Sequence, residues 1–162
     1  MKKSSDKKGF TLIEMLVVIA IIAVLVAIII PVVVSSTTKA NAATDAANLR
    51  SVMGEANTLL MMEDPTGSVL KTANIDVGDC KSFPGANIQI MYVNPGFIKI
   101  FYELEGKYYS LDYFAEVAES GHSDIKGITR EAAESAKDVT SSNPKWYNIS
   151  HPEADRTEDG GE

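Results

Sequence analysis

The chain has 162 residues, 45% of them hydrophobic, and its 22 acidic and 15 basic residues give a formal net charge of −7 at pH 7. This length allows one small domain beside a membrane anchor, and it excludes an enzyme of several domains. The acidic balance argues against nucleic acid as a direct ligand, because an acidic surface repels phosphates. We therefore expect no nucleic-acid partner.

Basic residues precede the first apolar run. The leader, residues 1–9, contains four lysines and one aspartate, so the rest of the chain carries a net charge of −10. Lysines that flank an apolar segment stay on the cytoplasmic side of a membrane, which predicts an internal amino terminus and an external carboxyl terminus. An ordinary secretory signal is cut at small residues just after its apolar core. No such site follows directly here, although residues 40–43 offer one further on.

The segment 10–34 has the length of a membrane span. No charged residue occurs from Met15 to Val34, and about 20 residues of helix rise about 30 Å, the thickness of the hydrocarbon layer. The sequence therefore predicts a single-pass transmembrane helix. Pro31 lacks an amide hydrogen and predicts a kink or local melting near one end of the span. Glu14 lies near the other end, where hydrocarbon disfavours charge.

Residues 7–14, which read KKGFTLIE, resemble the class III leader of type IV pilins and pseudopilins. The resemblance covers residues 7–34 closely and continues more loosely to residue 64. It implies that prepilin peptidase cuts between Gly9 and Phe10, that Phe10 becomes the N-methylated terminus, and that Glu14 is the family's glutamate. Glycine suits the position before the cut because it lets a protease approach the backbone closely.

The resemblance also implies a partner for Glu14. A carboxylate at the centre of a transmembrane helix costs about 2.5–3.5 kcal/mol on insertion scales, and less near the interface. Cleavage creates a cation in the amine of Phe10, which is largely protonated at neutral pH. That amine can reach Glu14 of its own helix, since four residues rise about 6 Å, or Glu14 of a neighbouring subunit, which the family favours. The alternative is a carboxylate that only reaches the lipid headgroups.

The alanine-rich segment 35–64 predicts an amphipathic continuation of the same helix, because its apolar residues recur every three or four positions. Turn residues at 64–67 are expected to end it. The methionines at 53, 61 and 62 are expected to fill the core rather than to form a binding surface. The side chains predicted to face a sheet are Leu49, Met53, Ala56, Leu59 and Leu60.

Three alternating or aromatic runs, at residues 88–93, 97–103 and 107–113, predict β-strands. Turn residues at 94–96 and 105–106 separate them. Three antiparallel strands against a helix form the smallest sheet with a credible buried face. We therefore predict an α+β fold in which the second half of a long N-terminal helix packs on this sheet, a layout that resembles the pilin head.

The C-terminal part predicts helical decoration of the head, with a short turn at 114–119 and a helix at 124–139. Trp146 and Tyr147 are expected to hold the C-terminal segment on the head, because large aromatic side chains are seldom fully exposed. A binding role for them is the alternative. The head then spans residues 35–149, and the acidic tail 150–162 is expected to be disordered.

Candidates for catalysis are sparse. Cys80 is the only cysteine, so no intramolecular disulfide forms, and we expect a packed thiol rather than a nucleophile. His122 and His151 lie in loop-like contexts without metal-ligand spacing. Asp76 and Asp79 are weak candidates for a calcium site, but they lack the spacing of an EF-hand loop. The sequence thus predicts no catalytic residue, no cofactor and no enzyme.

With the apolar helix, the resemblance implies a structural subunit of a type IV pilus-like filament, of the kind associated with adhesion and motility. The partners that the resemblance implies are the membrane before assembly, copies of itself in a helical polymer, prepilin peptidase, an assembly ATPase and a platform protein. Its expected location is the cytoplasmic membrane, with the C-terminus outside, and then the cell surface. The alternatives are a pseudopilin of a secretion or competence system and a membrane-anchored domain that never polymerises.

Overall fold

The structure is a computed structural model that describes residues 9–62, 67–71, 75, 77–93, 97–122, 126–136 and 144–149. The chain divides into two compact units, with the boundary between Ser36 and Thr37. The acidic tail 150–162, the turn at 94–96, part of the turn at 64–67 and parts of the helix predicted at 124–139 lie outside the described residues.

The first element is a helix of 51 residues, α1, Leu12–Met62. Alanine, leucine, methionine and charged residues favour helix through its second half. Pro31 lies inside α1. Of the two predicted outcomes, local melting is therefore wrong, and a kink stays a prediction. Proline removes one hydrogen bond and crowds the preceding turn, but the bonds on both sides keep this segment helical.

The remaining elements form a small α+β unit, as predicted. After a 3₁₀ turn at Ser68–Lys71, the described residues form four strands and two short helices. The strands are β1 (Asn87–Val93), β2 (Phe97–Leu104), β3 (Lys107–Ser110) and β4 (Lys145–Asn148). The helices are α2 (Leu111–Ser120) and α3 (Arg130–Glu134).

The sheet is antiparallel throughout, with the strand order β3-β2-β1-β4. The three predicted strands are confirmed, but the sheet has a fourth strand. β4 pairs with β1, so that Trp146 lies opposite Met91 and Tyr147 opposite Ile90. Trp146 and Tyr147 are each 1% exposed, which confirms that they hold the C-terminal segment on the sheet.

One face of the sheet packs on the second half of α1. Leu49, Ala56 and Leu60 are buried there, while Met53 and Leu59 are partly buried, as predicted from their spacing. Met61 and Met62 are 87% and 79% exposed, so their predicted core position is wrong. The sheet residues in this core are Ile88, Ile90, Tyr92, Ile98, Ile100 and Tyr102.

The opposite face of the sheet carries a second, smaller core of Met91, Val93, Phe101, Tyr108, Ala133 and Trp146. Ala133 belongs to α3, which therefore contributes to the cover of this face. The Trp146 Nε1–H donates to Glu134 Oε1 at 2.7 Å, and the Arg130 guanidinium lies 5.0 Å from the centroid of the indole ring. Both faces of the sheet are thus packed, which explains why β1 is buried almost throughout.

The turn between β2 and β3 and the start of α2 are both explained by the residues at those positions. Glu105 and Gly106 both have positive φ, 52° and 74°, as a tight two-residue hairpin turn requires, which confirms the predicted turn at 105–106. The run predicted as strand to residue 113 ends at Ser110, because the Ser110 hydroxyl accepts the amide of Tyr113 and starts α2. Side-chain oxygens of serine favour this N-cap position.

Helix α3 is shorter than predicted. The segment before it does not continue as helix, because Ile128 forms a β-bridge with Tyr108 on the outer edge of β3. The amide and carbonyl of each residue bond to the other, at 2.8 and 3.0 Å. Gly127 permits this approach, since a Cβ there would lie 2.8 Å from the Tyr109 ring.

Candidate processing and assembly site

The apolar part of α1 has no cover within the described chain. Every residue from Gly9 to Thr37 is exposed, and 19 large apolar side chains from Phe10 to Val34 are at least 45% exposed. Full burial of such a side chain contributes about 1.5–3 kcal/mol, so half-exposure of 19 leaves on the order of 20 kcal/mol unrealised. This segment therefore requires an apolar environment, and α1 is long and apolar enough to cross a membrane.

Glu14 caps the start of this helix together with Thr11. The Thr11 amide and hydroxyl both donate to Glu14 Oε2, at 2.7 and 2.8 Å. In return the Glu14 amide donates to Thr11 Oγ1 at 3.3 Å. This reciprocal arrangement is a capping box, in which an N-cap threonine and a glutamate three residues later satisfy each other's amides.

The capping box occupies only one of the two carboxylate oxygens. Among the described residues, hydrogen bonds to Glu14 are made at Oε2, and Oε1 accepts none. The sequence analysis identified Glu14 but missed Thr11, although the spacing of threonine and glutamate is a known signature of a helix start. The carboxylate is therefore held in place by its own helix and still has an oxygen for a second donor.

Gly9 and Phe10 lie directly before the capping box. A Cβ built at Gly9 would meet no described atom within 4 Å, so the described residues give no steric reason for glycine at this position. The cut between Gly9 and Phe10 stays a prediction. Phe10 is 80% exposed.

Of the two weak calcium candidates, Asp76 lies outside the described residues, so the structure describes Asp79 alone. Asp79 has a 93% exposed side chain, and its nearest described cation is Lys81, with an O–N distance of 3.9 Å. Among described residues no group of three or more histidine, cysteine, aspartate or glutamate side chains converges to hold a metal ion.

Cys80 is a packed thiol. It is 4% exposed, and its sulfur accepts the Phe83 amide at 3.3 Å. Burial raises the pKa of the Cys80 thiol to about 12, and the charge of Asp45 acts in the same direction. Since the thiolate is the nucleophilic form of cysteine, this environment opposes the chemistry that a catalytic cysteine needs. His122 is exposed, and His151 lies outside the described residues.

Asp45 is a structural residue that the sequence analysis missed. It is fully buried on α1, and its two oxygens accept the amides of Lys81 and Ser82 at 2.6 and 2.8 Å. Nearby, the Tyr102 hydroxyl donates to the Gly78 carbonyl at 2.8 Å. Burial raises the pKa of Tyr102 to about 12. These contacts hold the loop 77–86 between α1 and the sheet.

Comparison with known proteins adds one finding. Residues 4–30 match a protein family described as the prokaryotic N-terminal methylation motif. This motif is the signal of type IV pilins and pseudopilins, so the resemblance found at residues 7–34 is confirmed. No curated protein and no solved structure gave a significant match. The matched residues end before the head, and they support a type IV pilin-like or pseudopilin precursor, a class of structural subunits.

The motif has consequences that hold for this class in general. It implies processing by prepilin peptidase and self-assembly. Together with the exposed apolar helix, it supports anchoring in a membrane.

Proposed function

We propose that this chain is a structural subunit of an extracellular type IV pilus-like filament. Its precursor is held in the cytoplasmic membrane by residues 10–34, and prepilin peptidase cuts it between Gly9 and Phe10. The observation that carries this proposal is the methylation motif at residues 4–30, placed directly on a helix whose apolar side chains have no cover within the described chain.

The proposed topology places the leader, residues 1–9, in the cytoplasm and the head, residues 35–149, outside the membrane. The four lysines of the leader support this orientation, because basic residues stay inside. The rest of the chain has a net charge of −10, so the basic charge that marks the cytoplasmic side lies in the leader.

Assembly transfers the apolar helix from lipid to a bundle of identical helices. Lipid and helix surfaces are similarly apolar, so the transfer has little hydrophobic driving force, and specificity comes from packing and polar contacts. An assembly ATPase and a platform protein therefore supply the energy and the direction. Glu14 supplies the polar contact when it pairs with the new amine of Phe10. A lone buried polar group is well attested as a device that sets register between helices.

A pseudopilin of a secretion or competence system is the second candidate, because it shares the same motif. The acidic surface opposes a competence role that requires direct contact with DNA. A membrane-anchored domain that never polymerises is the third candidate, and it predicts an uncut leader.

The first test is the mass of the mature amino terminus. Our proposal predicts a chain that begins with N-methylated Phe10, and an intact Met1 or a cut near residue 43 would overturn it. The variant Gly9→Val should remain uncut. Gly54→Val is the matched control, because a Cβ at Gly54 also meets no described atom within 4 Å, and it should be cut normally.

The second test separates a filament subunit from the alternatives. Surface filaments sheared from cells that express the chain should be labelled along their length by an antibody to the head, as seen by electron microscopy. Cleaved and methylated chains that stay in the membrane and give no labelled filament would favour the pseudopilin.

A further inference from the structure

We draw no further inference here: the strongest candidate, the apolar groove beside residues 97–100 of β2, where Phe97 and Ile128 are 39% and 40% exposed, carries nothing, because nothing in the described part of the structure shows what covers it.

Discussion

Replacing Asp45 should destabilise the head more than replacing any exposed carboxylate of the same region. The Asp45 side chain is 0% exposed, and it is the acceptor for the amides of Lys81 and Ser82. A hydrogen bond to a charged group contributes about 1.5–3 kcal/mol, so the two bonds give about 3–6 kcal/mol. Two effects lower this figure. Removing a buried charge recovers part of its desolvation cost, and the two amide donors are only partly buried, so water can replace part of the lost bonding. We therefore expect a loss of about 3 kcal/mol for Asp45→Ala.

Asp45→Asn should fall between the wild type and Asp45→Ala. The amide keeps the shape of the carboxylate but offers one acceptor oxygen, so one of the two backbone amides loses its partner. This predicts a loss of about 1.5 kcal/mol, again from the strength of a single bond to a charged acceptor. Asp79→Asn is the matched control in the same loop. Its side chain is 93% exposed, and exposed ion pairs contribute about 0–1 kcal/mol.

The measurement is urea unfolding of the full chain in detergent micelles, followed by the fluorescence of the single tryptophan. Trp146 is 1% exposed, so its emission reports unfolding of the head. With a urea dependence of about 2 kcal/mol per molar, Asp45→Ala should lower the midpoint by about 1.5 M. A midpoint for Asp45→Ala within about 0.3 M of that for Asp79→Asn would refute the role of the buried carboxylate.

Three further predictions concern separate parts of the chain. Glu14→Ala should leave cleavage and methylation unchanged in intact-mass spectra but abolish filaments, and normal filaments from this variant would remove our account of the carboxylate. The raised pKa of Cys80, about 12 against an ordinary value of 9.0, means that the unfolded thiol ionises first. The free energy of unfolding should therefore fall as pH rises from about 9 to 12. Cys80→Ala should make that fall smaller. A part due to Tyr102 should remain, because the pKa of Tyr102 is also raised to about 12. If the free energy of unfolding depended on pH in Cys80→Ala as it does in the wild type, the raised pKa of Cys80 would be contradicted. Trp146→Phe removes the donor to Glu134 and should cost about 2 kcal/mol in urea unfolding followed by tyrosine fluorescence, whereas a loss below about 0.5 kcal/mol would show that this bond contributes little.

The parts of the fold that the sequence predicts well are those with a long periodic signal. The helix that continues past Pro31 and the strands Asn87–Val93 and Phe97–Leu104 each repeat their apolar pattern several times, and the structure confirms them. The fourth strand, Lys145–Asn148, has four residues, too few to show a period. It pairs with β1 through residues that lie more than 50 positions away in the sequence, and a local sequence pattern does not contain such pairings.

In the candidate site, too, the sequence predicts some residues and misses others. Glu14 is conspicuous in the sequence because a charge stands in an apolar run. Thr11 has the spacing of a capping-box residue, but the bond from its hydroxyl to Glu14 Oε2 depends on a rotamer that the sequence does not specify. Asp45 is hidden for a related reason, since nothing in an alanine-rich segment indicates that this carboxylate is buried against a loop 36 residues away.

We expect the stability of the head and the assembly of filaments to depend on different residues, in the two different units. The variants above can test this expectation. The core of the head, from Ala42 to Ile149, is formed by residues of the second unit, whereas Thr11 and Glu14 belong to the first unit and bond to each other. Substitutions at Asp45 should therefore lower the urea midpoint while the remaining folded chains still assemble. Glu14→Ala should leave the midpoint unchanged and abolish filaments. Because effects of distant, independent sites add, the double variant Asp45→Asn, Glu14→Ala should have the urea midpoint of Asp45→Asn alone. A midpoint lower than that of Asp45→Asn would show that Glu14 also contributes to the stability of the head.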